Sequence, residues 1–457
     1  MMKSSGKIFS KPLNKVKVNN LYNLSNNKLN KPKHNTKEIE GHLNIINDLY
    51  LKKKYKQVID ELNPFLKKYP KNIDGKNLLA LSYKQIGDFN KAINLFQSLI
   101  AEYPQEGFFS TNLANIFYNQ GKISLAIEQY KRCIEIGPLQ INAYTGLGNC
   151  YTELGRFNEA IDILKKALIS DPKNESVNYN LGNIYRKLGK YKEAIPYYSN
   201  TNILLSKSHQ LECYYLSNDK ENFLTNLKKH EENKVLNPLA ACLSSHSSIL
   251  YSQNNTYSFC KNPFDYIFSK NLIENNIIKK SFIEEVKIAL KELKLDYRDQ
   301  ELLKKGNQSS GNIFMTENKT INKLKAIILK EIESYRKSFN KSSDDYIKSW
   351  PEKFQLYGWV VNISKGGSLS SHIHKEGWMS GSLYFEIPKK IEKNDGNIVF
   401  SMTGANYPSN GFDFKEQVVE TIKGGIVLFP SSLFHNTIPF KSNEERMTIA
   451  FDIIPIN

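Results

Sequence analysis

A chain of 457 residues exceeds the roughly 250–300 at which one hydrophobic core stops growing, so at least two structural units are expected. Its 40% hydrophobic, 12% aromatic and 24% charged residues describe a globular composition, and no window reaches the ~18 apolar residues of a membrane-spanning helix, which excludes an integral helical membrane protein. Of the +17 excess of positive charge, nine lysines lie between Met1 and Lys37, where no acid offsets them.

Residues 1–40 are rich in Lys, Asn and Ser, cannot bury enough apolar surface to offset the entropy of ordering, and are expected to form a basic disordered tail. No aromatic interleaving or groove-reading motif accompanies the lysines, so a nucleic-acid partner is not expected. The N-terminus has no apolar core of the kind a secretory signal needs, which points to a cytoplasmic protein. Cys133, Cys150, Cys213, Cys242 and Cys260 show no CxxC spacing, so neither a disulfide framework nor a zinc ribbon is indicated.

A repeat organises the next 160 or so residues. Gly87, Gly121, Gly155 and Gly189 recur every 34 residues, as do Ala92, Ala126, Ala160 and Ala194, the aromatics Tyr83, Phe117, Tyr151 and Tyr185, and Pro70, Pro104, Pro138 and Pro172. Each unit reads as two amphipathic helices with the glycine in the turn and the small alanine where the helices approach. These residues, with Leu147-Gly148 and Leu181-Gly182, resemble the tetratricopeptide repeat over about 41–200, with a degenerate first copy in which Lys53 and Val58 replace the glycine and the alanine. The resemblance implies a solenoid that binds a protein or peptide in its concave groove. Asn112, Asn115, Asn149, Asn180 and Asn183 are the candidate groove residues, since an amide both donates to and accepts from a peptide backbone. The alternative, that Asn is simply frequent at these repeat positions, stands beside it.

Between 206 and 260 the register is lost while helical patterns persist, which suggests capping or bridging helices. NKLKAIILKEIESYRKSF is then expected as a helix, and after Trp350 the period changes from 3.6 to 2. Strands are expected near LYGWVVNIS, SHIH, SGSLYFEIP, GNIVFS, EQVVETI, GGIVLFPS, HNTIPF and RMTIAFDII, enough for a jelly roll. Gly366-Gly367 and Gly424-Gly425 read as hairpin turns.

His372 and His374 occupy alternate positions of one such segment and therefore share a face, about 6.6 Å apart at Cα, with His435 available from a neighbouring strand. Arg446 and Thr448, eleven and thirteen residues after His435, place a guanidinium and a hydroxyl on one face of the last strand, where they could bind a carboxylate. The order of these residues, and the runs NISKGGSLSSHIHKEGWMSGSLYFEIP and GGIVLFPSSLFHNTIPFKSNEERMTIAFDIIP, resemble the 2-oxoglutarate/Fe(II) oxygenase family that often follows tetratricopeptide repeats.

The resemblance implies a double-stranded β-helix over 261–457 that holds Fe(II) through His372, His374 and His435. Arg446 and Thr448 would bind 2-oxoglutarate, with Asn362 and Tyr384 lining the cavity and ascorbate as an accessory. The usual set is two His and one carboxylate, whereas position 374 is a histidine. Glu376 is the alternative ligand, provided that a turn at Lys375-Glu376-Gly377 folds it back. The expected protein is multidomain: tail 1–40, tetratricopeptide solenoid 41–205, bridging helices 206–260, and a jelly-roll domain 261–457 with flanking helices. The expected activity is that of a hydroxylase; the competing readings are a tetratricopeptide scaffold with an inactive jelly roll and a three-His dioxygenase that does not use 2-oxoglutarate.

Overall fold

The computed structural model describes residues 36–137, 140–298, 300–404 and 407–456, so nearly all of the basic tail, and Pro138 of the repeat series, lie outside the described residues. The chain divides into two compact units, one running to Ile184 and one from Tyr185. The first contains α1 (Thr36–Leu51), α2 (Tyr55–Lys68), α3 (Ile73–Gln85), α4 (Phe89–Glu102), α5 (Gly107–Asn119), α6 (Ile123–Ile136), α7 (Ile141–Glu153), α8 (Phe157–Ser170) and most of α9 (Glu175–Lys187), inside which the division falls. From α1 to α8 each helix packs on its neighbours in sequence, as a solenoid requires.

The repeat positions have distinct physical jobs. Gly87, Gly121 and Gly155 turn the chain at φ of +85°, +73° and +72°, a left-handed conformation that glycine enters without a Cβ clash. The degenerate first copy keeps the same turn with Lys53 at φ +60°. Ala92, Ala126 and Ala160 are fully buried, and a Cβ on Gly148 would come within 2.7 Å of the Leu164 side chain, so α7 and α8 approach too closely for anything larger.

The second unit begins with α10 (Tyr191–Ser199), α11 (Leu204–Leu216), α12 (Lys220–Glu232) and α13 (Pro238–Leu250), the last capped by Asn237, whose side chain accepts from two backbone amides. There follow β1 (Phe268–Asn271), α14 (Lys280–Glu292), β2 (Tyr297–Arg298), β3 (Leu303–Ser309), α15 (Lys319–Ser338) and the short α16 (Asp345–Lys348). Then come β4 (Phe354–Leu369), β5 (Met379–Glu386), β6 (Ile398–Ser401), β7 (Glu416–Val419), β8 (Gly425–Pro430), β9 (Phe434–Thr437) and β10 (Arg446–Pro455). These strands form two antiparallel sheets, one of order β1-β8-β5-β10-β4-β3-β2 and one of order β7-β6-β9. The protein is thus multidomain, a helical repeat series followed by a jelly-roll pair of sheets.

Alternation along the strands separates two faces of the large sheet. Leu356 and Val360 of β4 and Ile449, Phe451 and Ile453 of β10 join a core with Ile283 and Val286 of α14 and Leu324 and Ile328 of α15. Tyr384, Val427 and Phe429 point the other way and pack with Ile398 and Phe400 of the small sheet. That inner space is where the site lies.

Three expectations need correction. SHIH is not a strand: His372 makes an isolated antiparallel bridge to His435, and the chain turns at Lys375-Glu376. Gly366-Gly367 lies inside the long β4, where the β3–β4 register shifts, rather than in a hairpin. Gly424, at φ +77°, turns the chain from the small sheet into β8 of the large one, so the strands it joins are not paired. β1, β2 and β3 had no expected counterpart, since strands of two to seven residues carry too little periodicity to be read.

Candidate metal centre

The His372–His435 bridge is built by backbone hydrogen bonds in both directions, 3.1 Å and 3.0 Å, while the His374 amide donates to Ser431 O at 3.1 Å. These contacts bring three rings together, with centroids 4.3 Å apart for His372 and His435, 5.0 Å for His374 and His435, and 5.1 Å for His372 and His374. One nitrogen from each lies within 4.8 Å of the others, and no carboxylate joins this cluster among the described residues. Glu376 is exposed in the turn and outside the cluster, so the turn forms without delivering the alternative ligand.

The outward nitrogens decide what the inward ones can do. His372 Nδ1 lies 2.8 Å from Ser370 O, His435 Nδ1 3.2 Å from Leu433 O, and His374 Nδ1 2.6 Å from Asp452 Oδ1. Carbonyl and carboxylate oxygens only accept, so each Nδ1 carries a hydrogen and each Nε2 is turned inward. His372 Nε2 and His374 Nε2 are 3.1 Å apart, close enough to share one hydrogen or to ligate one ion. Burial, followed by the neighbouring His374, pushes the His372 pKa down to about 3; burial, with His372 and His374, holds His435 well below its ordinary value. Neutral imidazoles are the form that binds a metal.

Arg446, Thr448, Ala450 and Asp452 alternate along β10 and share its inner face. Arg446 and Thr448 are buried, as is Tyr384, the register partner of Thr448, and the guanidinium lies 5.0 Å over the Tyr384 ring. Arg446 Nε and Thr448 Oγ1 lack a hydrogen-bond partner, and Tyr384 Oη has only Arg446 and Ser382 beside it, a costly arrangement for buried polar atoms and a natural receptor for an anion's oxygens. Burial lowers the Arg446 pKa, an effect that Tyr384 opposes. Between this end and the histidines stand the small paired residues Ala450 and Ser382, both partly exposed although they lie on central strands, so the inner face is hollow there. Trp359, the other register partner of Ala450, flanks the hollow with its ring 5.6 Å from that of His374. The donor set and the orphaned polar atoms therefore fit a divalent metal and a dicarboxylate.

Asn362 is not brought to this site. It pairs in register with Met447 on the opposite face and donates to Asn307 Oδ1 at 3.2 Å. Sequence reasoning missed Asp452 and Ser380, although Asp452, six residues after Arg446, has the parity of the same strand face. It also missed Glu212 of α11, buried between Arg186 (2.9 Å) and Lys375 (2.8 Å), the residue that follows His374. Beside the histidine bridge, Ser370, Ser371, Thr403, Gly404, Asn436 and Thr437 line a cleft of about 470 Å3 together with Lys304 and Glu416.

In the first unit, Asn115 accepts from the Tyr130 hydroxyl at 2.6 Å, and Asn180 donates to Asn149 at 2.8 Å. Asn112 and Asn183 are half-buried on α5 and α9. All five cysteines are buried and free. Among the described residues, no helix is long and apolar enough to cross a membrane.

Residues 357–452 match the family described as "Putative 2OG-Fe(II) oxygenase", and tetratricopeptide repeat families match 77–141, 148–189 and 179–200. The chain thus joins tetratricopeptide repeats to a segment that matches that oxygenase family, and the family's chemistry implies Fe(II) and 2-oxoglutarate. An uncharacterized protein of Aquifex aeolicus is 34% identical over 70 residues, which is 15% of this chain; the match spans only 41% of that relative's length. Among solved structures, a tetratricopeptide protein of Thermus thermophilus is 20% identical, with 38% of this chain and 98% of that one covered and a TM-score of 0.33. Pseudomonas aeruginosa pilF is 14% identical over 42% and 90%, with a TM-score of 0.38.

Proposed function

We propose that the protein is an Fe(II)- and 2-oxoglutarate-dependent hydroxylase that acts on a protein or peptide selected by its repeats. The observation that carries this reading is the convergence of three histidine nitrogens at one end of a hollow sheet face whose other end holds the buried Arg446, Thr448 and Tyr384, with Arg446 Nε and Thr448 Oγ1 left without a partner. Bound Fe(II) with 2-oxoglutarate and O2 supplies the oxidation of a C–H bond. The chain's own contribution is positional. His372, His374 and His435 hold the metal; Arg446 and Thr448 grip the distal carboxylate, with Tyr384 beside them; Ala450 and Ser382 leave room for the carbon chain between. Phe429, whose ring lies 4.7 Å from that of His435, and Phe400 keep water from that wall.

Substrate would approach by the cleft beside the histidine bridge, and the half-buried Asn112 and Asn183 would help the repeats hold an extended segment. The partition at 41–205, 206–260 and 261–457 belongs to the same proposal.

The test is turnover: purified protein with Fe(II), 2-oxoglutarate and O2 is expected to yield succinate, and His435→Ala to abolish it. Arg446→Ala should raise the KM for 2-oxoglutarate by roughly 10–100-fold, the loss of a charge-assisted pair of hydrogen bonds. Absence of both metal and 2-oxoglutarate binding would overturn the reading and leave an interaction scaffold.

A further inference from the structure

The three histidines are not held alike. Two give their Nδ1 hydrogen to backbone carbonyls, whereas His374 gives its own to a carboxylate, Asp452 Oδ1, at 2.6 Å. That oxygen also accepts from Ser380 Oγ at 2.7 Å, and Ser380 Oγ lies 2.7 Å from Ser431 Oγ and 3.0 Å from His374 Nδ1. Asp452 is only 8% exposed, and its contact with His374 Nδ1 is 2.6 Å. The turn is shaped to allow the contact: a Cβ on Gly377 would come within 2.6 Å of Ser431 Oγ and 3.2 Å of Asp452 Cγ.

A set of three neutral imidazoles lacks the negative charge that a carboxylate ligand would bring to a divalent ion. Here a carboxylate stands one hydrogen bond away, on the one histidine that occupies the place where a carboxylate is usual. Resting on the metal-site reading above, we propose that Asp452 is a positioning residue that replaces the missing ligand charge from behind His374. It fixes the Nδ1–H tautomer so that Nε2 is always free, and by drawing that hydrogen toward itself it makes Nε2 a stronger donor to the ion. Ser380 holds the carboxylate in line, so the charge is delivered through the ring without Asp452 entering the coordination sphere.

The test uses Co(II) added to the metal-free full-length protein, read by its visible absorption, alongside the side-chain 15N shifts of His374 without metal. Asp452→Asn keeps shape and hydrogen-bond capacity but removes the charge. It is expected to weaken Co(II) binding 10–100-fold and to convert the single Nδ1–H tautomer of His374 into a mixture, while His372 and His435 keep theirs. Ser380→Ala should weaken binding by a smaller factor in the same direction, and it serves if the Asn variant does not fold. Unchanged Co(II) affinity in both variants, or an unchanged His374 tautomer in Asp452→Asn, overturns the proposal. His435→Ala separates the two readings: if it too leaves Co(II) binding unchanged, the metal site itself is wrong, whereas its loss beside intact variant binding sinks only the role of Asp452.

Discussion

The repeats and the sheets solve the same problem, how to hold functional side chains in place, by opposite means. In the repeats each turn, close approach and buried alanine is specified within 34 residues, and the first copy tolerates Lys53 and Val58 in place of Gly and Ala because its neighbours supply the geometry. In the sheet unit the site joins residues up to 80 positions apart in sequence, His372 through Asp452, and Lys375 beside His374 is held by Glu212, 163 residues earlier. Local interactions make a modular array; long-range ones make a single site that fails as a unit.

The largest effect should come from the buried ionic cluster. Burial alone would push the Glu212 carboxyl up, but the Lys375 ammonium and the Arg186 guanidinium outweigh it and hold the carboxyl below its ordinary value. Glu212→Ala would leave two partly buried cations without their carboxylate, at a cost of up to about 5 kcal/mol in chemical denaturation. If the comparison is right, the whole second unit destabilises and Co(II) binding weakens with it. Leu164→Ala, at a fully buried repeat position, is expected to cost about 2–4 kcal/mol, yet hydrogen exchange should accelerate mainly in α7, α8 and their neighbours. Exchange accelerating equally across both units would break the distinction.

Acid offers a third probe. His246 is buried between the Tyr215 hydroxyl at 2.5 Å and Thr403 Oγ1 at 3.1 Å, and burial lowers its pKa from 6.5 to about 4. Because the unfolded chain takes up the proton first, stability is full above pH 6.5 and falls as the pH drops toward 4. Between pH 7 and pH 5 this group accounts for a loss of about 1–2 kcal/mol. Thermal unfolding of His246→Asn should therefore depend less on pH over that interval than that of the parent. The smallest effect belongs to the repeats: Lys53→Gly relieves a left-handed lysine and should raise stability by up to about 1 kcal/mol, visible as a higher midpoint for the α1–α2 region.

What could be read in advance follows the same division. The 34-residue register, the turn glycines and the packing alanines were legible because helix, turn and neighbour all lie within one repeat length. The sheet's longer strands, and Arg446 and Thr448 among the candidates, were legible because parity along a strand assigns a face, whereas His372 and His374 were chosen by that parity in a segment that bends. Asn362 was misplaced for want of that test: its parity is that of Met447, on the far face.

By itself, then, the sequence determined a helical repeat array, a jelly roll, and a short inventory of imidazoles and one guanidinium as candidates for a metal-and-carboxylate site. Only the tertiary structure decided that SHIH bends rather than extends, that Glu376 stays out of the site, and that Asp452 and Ser380 stand behind His374. The physical reason is range. Propensity and periodicity act over a few residues, whereas the direction of a ring nitrogen depends on which distant strand presents its hydrogen-bond acceptor.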